Sequence, residues 1–352
     1  MKKVLLAISV LVFFACAKKK ESVEIEPIPQ VINDMDTYAK YMLQQETDYK
    51  KTTIIAKTRS MEANELLEKF KDAMSQDFAQ YDSLVKNAND ELFKGNPDKA
   101  LEIIEQALDE IELFRSFILT DDSVRIHRFF HNIVEEGYYW KIIHGDSKQK
   151  IYPLPKSFFN SYFTYGSTLI DLKRYDEAKI ALLKALKINP INTDVLFELG
   201  EISKHYKNWE ELFRLTQEAH KVSYTKEKLA RGYRNFGYYF IEQEKFDEAI
   251  AMYYASLFFD RTQTKMAISQ LDYIKKLTKK QIIQPEEEER LSVFKKNNIK
   301  FGVDENLFKT IGALGRVLEE KKEYDKAKFC YEVLFKLTDL EEFKELIEKM
   351  PK

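Results

Sequence analysis

Histidine, glutamate and cysteine are the residues here that could do chemistry, and few of them are grouped. His127 and His131 stand four apart, and Glu135 follows four further on. On a helix this spacing puts three possible ligands on one face, within reach of a zinc ion. The pattern is not the H-E-x-x-H of a catalytic zinc site. The Phe and Tyr residues interleaved with it suit a half-buried packing face, so no metal site is expected. The sequence has no glycine-rich phosphate loop, no serine in a G-x-S-x-G elbow and no cysteine set beside a histidine. No catalytic residue, cofactor or metal is assigned, and the chain is read as non-enzymatic.

The two cysteines have different settings. Lys2 and Lys3 open the chain, residues 4–15 are apolar but for one Ser, and Cys16 follows the small Ala15. The apolar run is too short to span a bilayer comfortably and has the layout of a signal peptide. The arrangement resembles a bacterial lipoprotein signal, although Phe13 stands where that pattern usually has Leu. The resemblance implies cleavage after residue 15, acylation of Cys16, and a protein held on an envelope membrane, on its periplasmic or surface side. Cys330 then has no partner within the chain, and its helical surroundings suit a buried, inert thiol. Residues 16–33 are the lipidated cysteine and a charged, Pro-containing tether. Fourteen residues of such a tether reach roughly 45–50 Å when stretched.

The elements that position everything else are helices. Of 352 residues, 44% are hydrophobic and 32% charged, while Gly (10) and Pro (8) are scarce. Long helices with short connections fit this composition, and a turn-rich β fold does not. A net charge of −2 gives no electrostatic case for nucleic acid. Residues 34–80 are expected to form an N-terminal helical cap, and 81–352 a repeat array.

The repeat is clearest over 159–192. With Phe159 as position 1, Tyr162, Tyr165 and Leu169 make one helical stripe, and Ala178, Leu182 and Ala185 make the facing one. Gly166 and Ala178, at positions 8 and 20, are small enough to let two helices approach. Tyr175, at position 17, covers the turn, and Pro190 stops the second helix. The pattern returns at 193–226, 230–263 and 308–341, and more weakly at 81–114. Gly166, Gly200, Gly237 and Gly315 all fall at position 8. The second copy departs at position 20, where Leu212 replaces Ala, and at 24, where Thr216 stands. These residues resemble the tetratricopeptide repeat. The resemblance implies an all-α fold, a right-handed α-solenoid of antiparallel helix pairs. Residues 264–300 have the length of a degenerate repeat, with Pro285 and the acidic 286–289 starting its second helix. The aromatic segment 129–140 reads as an extra helix.

In this family the first helix of each pair, helix A, lines a concave groove through positions 2, 5, 9 and 12. The resemblance therefore nominates Asn160, Phe163, Ser167 and Ile170, then Asp194, Phe197, Glu201 and Lys204, then Arg231, Arg234, Tyr238 and Ile241. Tyr and Arg are favoured at protein-binding hot spots. The family's carboxylate-clamp version is not expected, because its positions hold Phe163, Ser167, Glu198, Arg231 and Asn235, with one base and a repelling acid. The expected function is a membrane-anchored scaffold that captures a protein or peptide. The alternative is an envelope protein that binds a small molecule or glycan near 129–140.

Overall fold

The structure is a computed structural model and describes residues 78–118, 121 and 124–351. Cys16, the apolar run, the tether and all but the end of the expected cap lie outside the described residues. Within them the fold is an all-α solenoid. Helices α1 (Ala79–Phe93) and α2 (Pro97–Ile118) form the first hairpin. Then come α4 (Lys156–Asp171) with α5 (Tyr175–Ile188), α6 (Thr193–His205) with α7 (Trp209–Lys221), and α8 (Lys226–Glu242) with α9 (Phe246–Phe259). Helices α10 (Thr264–Thr278) and α11 (Glu287–Lys296) follow, then the hairpin α12 (Glu305–Glu320) and α13 (Tyr324–Thr338), and last α14 (Glu341–Lys349).

Each hairpin closes as its apolar stripes predict. Tyr162, Leu169, Ala178, Leu182 and Ala185 are all buried. The position-8 glycines are forced by contact. A Cβ on Gly166 would lie 2.7 Å from Leu182, one on Gly237 would lie 2.8 Å from Tyr253, and one on Gly315 would lie 2.7 Å from Tyr331. In the α6/α7 pair the helices leave more room, and a Cβ on Gly200 would sit 3.4 Å from Leu212. The bulkier position-20 Leu there is buried and fills the space that Ala leaves in the other pairs. The position-17 aromatic also covers the turn as expected, with Tyr175 stacked on His205 at a ring-centroid distance of 3.8 Å.

The turn inside every hairpin uses one device. Position 15 adopts the left-handed backbone conformation at Gly95, Lys173, Lys207, Glu244 and Lys322. The next N–H then reaches back to the position-11 carbonyl: Asn96 to Glu91, Arg174 to Leu169, Asn208 to Ser203, Lys245 to Phe240 and Glu323 to Leu318, all at 2.8–2.9 Å. This is the Schellman closure, which satisfies a carbonyl left open at the helix end. Side-chain caps start the next helices: Asn192 accepts from Val195 N–H, Thr225 from Lys228 N–H, and Asp304 from Asn306 and Leu307 N–H.

Two segments depart from the sequence reading. Residues 129–140 are not one helix. β1 (Arg125–Arg128) pairs in parallel with β2 (Lys150–Pro153), and α3 (Ile133–Tyr138) runs on into a π-helical turn (Tyr139–His144). Asn132 caps α3 through Val134 and Glu135 N–H, so the helix begins after both histidines. Residues 264–300 do hold two helices, yet each packs chiefly on α9 rather than on the other. Pro285 stands just before the N-cap residue Glu286, which forms a capping box with Glu289.

The last hairpin does not continue the stack. Helix α12 leaves its predecessors and packs on α3. A Cβ on Gly137 would lie 2.6 Å from Leu314 Cδ2, so a side chain there would have to displace that leucine. Asp339, just past α13, pairs with Lys226 at the start of α8 at 2.6 Å. The connecting strand is pinned on the way: the Tyr233 hydroxyl donates to the Lys300 carbonyl at 3.0 Å and accepts from Gly302 N–H at 2.7 Å. Burial pushes His220 down to about 4, so its ring is neutral and donates from Nε2 to the same carbonyl. Cys330 is buried as expected, and burial pushes its thiol up to about 11.

The left-handed turn residues carry a measurable cost. An L-residue there loses about 1–2 kcal/mol, more than the extra chain entropy of glycine, about 0.5–1 kcal/mol. The Lys207 side chain is exposed. Lys207→Gly should therefore raise the melting temperature and Lys207→Val should lower it, as read by circular dichroism. A glycine variant that melts earlier than the parent would show that the lysine side chain contributes more than its backbone conformation costs.

Candidate functional site: the helix-A face

Helices α6 and α8 lie side by side and present matched rows. Asp194, Glu198 and Glu201 follow one line of α6 with Lys204 beyond them. Lys228, Arg231, Asn235 and Tyr238 follow one line of α8. Lys228 pairs with Asp194. The Arg231 guanidinium bonds Glu198 at 2.8 Å and lies 4.8 Å above the ring of Phe197. The Lys204 ammonium donates to Glu201 at 2.7 Å and across to Asn235 Oδ1 at 2.8 Å, and it sits 5.1 Å over the Tyr238 ring. Three acids face three bases, so the ladder is neutral. Burial pushes the Lys204 pKa down, and the pair with Glu201 partly offsets that. Asn235 Nδ2 is buried and makes no hydrogen bond.

The nominated residues divide on this geometry. Glu201, Arg231 and Tyr238 belong to the ladder. Phe197 is fully buried, so it supports Arg231 from below and offers no free surface. Arg234 turns away toward Asp260, beyond α9, at 3.8 Å. Its partner is buried, so Arg234 is a brace between α8 and the next loop. Asn160, Phe163 and Ser167 stand half-buried on α4, and Phe163 stacks on Phe159 at 6.0 Å. Lys228 and Asp260 were not nominated from the sequence, because helical spacing alone does not show which acid each base meets.

The histidine–glutamate trio does not assemble. His127 is on β1, where its ring and backbone N–H meet Asp121 at 3.2 and 2.9 Å. Arg128 bonds the other oxygen of Asp121 at 2.9 Å. Burial alone would raise the Asp121 carboxyl, but His127 and Arg128 outweigh it and hold the pKa down at about 2. Glu135 is buried and serves as a hub. Its Oε2 accepts from His131 N–H at 2.9 Å and Asn189 Nδ2 at 2.8 Å, and its Oε1 accepts from the Tyr224 hydroxyl at 3.1 Å. Asn189 follows α5 and Tyr224 follows α7, so one carboxylate ties the inserted segment to two repeats. Among the described residues no group of three His, Cys, Asp or Glu is placed to hold a metal ion. Most aromatics of 129–140 pack within the fold, while Trp140 keeps much of its surface exposed. Phe129 lies against Phe159, Phe130 against Tyr139, and Trp140 against His144.

Antiparallel two-helix units, closed by one turn and packed second helix against the next first helix, define a helical repeat array. The tetratricopeptide repeat family matches residues 159–192 and 308–338, so the chain carries tetratricopeptide repeats at these two places. Its array belongs to the class of protein-interaction scaffolds. Among solved structures the chain is similar to Pseudomonas aeruginosa pilF, at 17% identity over 76% of this chain and 97% of that one, with a TM-score of 0.39. It is also similar to a putative protein binding protein from Bacteroides ovatus, at 12% identity over 77% of this chain and 95% of that one, with a TM-score of 0.24. No curated protein matches the sequence.

The Glu135 hub gives a pH dependence of definite sign. Burial raises its carboxyl, but His131, its backbone N–H and Asn189 outweigh burial and hold the pKa below the ordinary carboxylate value. A lowered native pKa means stability that is present above the unfolded value, about 4.3, and lost as pH falls through the native one. Glu135→Gln should therefore lower the neutral-pH stability by about 1.5–3 kcal/mol, the usual worth of hydrogen bonds to a charge. The gap between variant and parent in urea midpoint should close below about pH 4. A gap unchanged from pH 7 to pH 3 would mean that the carboxylate charge adds nothing to the hub.

Proposed function

We propose that the protein is a membrane-tethered scaffold of the bacterial envelope, which holds a protein or peptide segment along the concave helix-A face of α4, α6 and α8. The observation that carries this reading is the ladder itself. Arg231 is held on Phe197 and Glu198, and Tyr238 on Lys204, so the two side-chain types that dominate binding hot spots are fixed before any partner arrives. Such preorganisation lowers the entropy lost on binding. Because the ladder is neutral, it suits an uncharged or mixed-charge segment rather than an acidic tail, and Arg231, already paired with Glu198, is poorly placed to clamp a free carboxylate. The tether follows from the lipoprotein-like segment at Cys16. With two or more acyl chains, at about 0.8 kcal/mol per buried methylene, attachment would be stable.

Two experiments test the two halves of this proposal. Arg231→Ala with Tyr238→Ala removes both anchors and leaves the Arg234–Asp260 brace intact. The double variant should keep its helical signal and lose most of the envelope protein that the parent captures from detergent-solubilised membranes. Equal capture by both chains would move the binding surface elsewhere. For the tether, Cys16→Ala should release the chain from membranes or leave it unprocessed. A mature protein whose mass shows an unmodified Cys16 would exclude lipidation.

A further inference from the structure

Helix α10 continues the row of A helices, and its buried residues fix how it is turned. It packs on α9, and its buried side chains are Ala267, Leu271 and Ile274. Gly232, Phe236 and Tyr239 have the same spacing on α8, where they face the preceding second helix, α7. The Phe213 ring of α7 lies 5.2 Å from that of Phe236 and 4.7 Å from that of Tyr239. A Cβ on Gly232 would meet His220 of α7 at 3.2 Å. Arg231 immediately precedes Gly232, and Tyr238 immediately precedes Tyr239. Their counterparts on α10 are Met266 and Tyr273, and the counterpart of Glu242, one turn past Tyr238, is Leu277. A second observation agrees with this placement. Burial is the largest cause that raises the Tyr238 pKa, followed by Glu242 and Glu201, and Tyr273 adds to them, so its hydroxyl reaches the same part of the face.

The chemistry of the row changes at this step. Where α8 presents Arg231 and Glu242, α10 presents Met266 and Leu277. Met266, Tyr273 and Leu277 are 58, 49 and 51% exposed, and their spacing sets them along one line of the helix. The side of α10 next to this line lacks a hairpin partner. On α8 that side is covered by α9, with Tyr253 against Gly237. The counterpart of Gly237 is Asp272, which is exposed because α11 packs on α9 instead. Asp272 lines an open hollow of about 590 Å³ with Gln281, Lys275, Lys276, Lys279 and Lys280. Among the described residues no salt bridge involves these four lysines. The counterpart of Lys276 on α8 is Ile241, one of the nominated face residues, so the apolar line and the basic hollow meet at Lys276.

We propose that the partner groove extends onto α10, and that the segment bound there carries apolar side chains next to acidic ones. The apolar side chains cover Met266, Tyr273 and Leu277, and the acids enter the hollow, where four bases face one carboxylate. The occupant is a peptide segment, continuous with the mixed-charge stretch that lies on the ladder of α6 and α8. The matched charges of that ladder offer little to a uniformly anionic membrane surface, whereas one extended segment can cross both parts. The inference rests on the helix-A face being the binding surface, and it adds the composition of what binds.

The test selects binders from a library of random peptides on the immobilised full chain in detergent. Peptides that carry Leu, Met or Phe next to Asp or Glu should be enriched, and should bind at least about tenfold more tightly than versions with Ser for the apolar residues or Lys for the acids. Met266→Ser with Leu277→Ser should remove the apolar preference. Lys276→Glu with Lys279→Glu should reverse the charge preference, and that gain of basic peptides shows that the variant is folded. Arg231→Ala with Tyr238→Ala should weaken every selected peptide. Peptides that depend on Arg231 and Tyr238 but are indifferent to both changes on α10 overturn the extension and leave the helix-A reading standing. A library that yields no binder, or binders indifferent to all three variants, overturns both. If the α10 variants alter only the sedimentation of the chain or its retention on phosphatidylglycerol vesicles, the surface belongs to a second copy or to a membrane, and the peptide proposal is overturned.

Discussion

At Gly166, Gly237 and Gly315 the partner helix lies where a side chain would be, and Leu182, Tyr253 and Tyr331 occupy the space. A methyl group at any of these points would force a buried side chain of the partner helix to shift in a packed core. The constraint travels beyond the hairpin. The same absence of a side chain at Gly137 seats Leu314, and with it the last hairpin, on the inserted helix α3. Helix α3 is held in turn by the Glu135 hub against the loops after α5 and α7. Glycine contacts and one buried carboxylate therefore set where each repeat stands.

Charge is handled in two ways in this molecule. In the insertion it is buried and fully partnered: Asp121 by His127 and Arg128, and Glu135 by His131, Asn189 and Tyr224. Removing one partner from such a set leaves an uncompensated charge, which is why these groups act as rivets. On the helix-A face the charges are half-buried and matched across two helices. There each ion pair contributes little stability, but together the pairs hold Arg231, Lys204 and Tyr238 in fixed positions. The first arrangement holds elements in place, and the second prepares a surface.

The repeat was legible because its requirements are local. Glycine at 8, an aromatic at 17 and Ala or Leu at 20 each report a contact inside one hairpin. The left-handed turn was hidden, because Lys173, Lys207, Glu244 and Lys322 stand where glycine would have announced it. The segment 129–140 has helical composition throughout, but the Asn132 cap starts the helix only at Ile133, so His127 and His131 never share its face. Phe197 and Arg234 were placed on the groove by position alone. The burial of one and the reach of the other to Asp260 depend on neighbours that no single repeat contains. The turn of α12 back to α3 was likewise invisible, since Gly137 gives no sign in the sequence that its partner is Leu314.

That return of the last hairpin changes how the array comes apart. An open row of repeats is a one-dimensional system, whose ends fray and whose units melt nearly independently. Here α12 and α13 are fastened to α3 and to Lys226, so the C-terminal end is anchored in the middle of the row. The contact between Gly137 and Leu314 closes a long loop, which slows folding but makes the closed units cooperative. Amide exchange in α12 and α13 should then track the opening of α3 and α8 rather than precede it, so that the C-terminal repeat acts as a clasp on the row and not as its loose end.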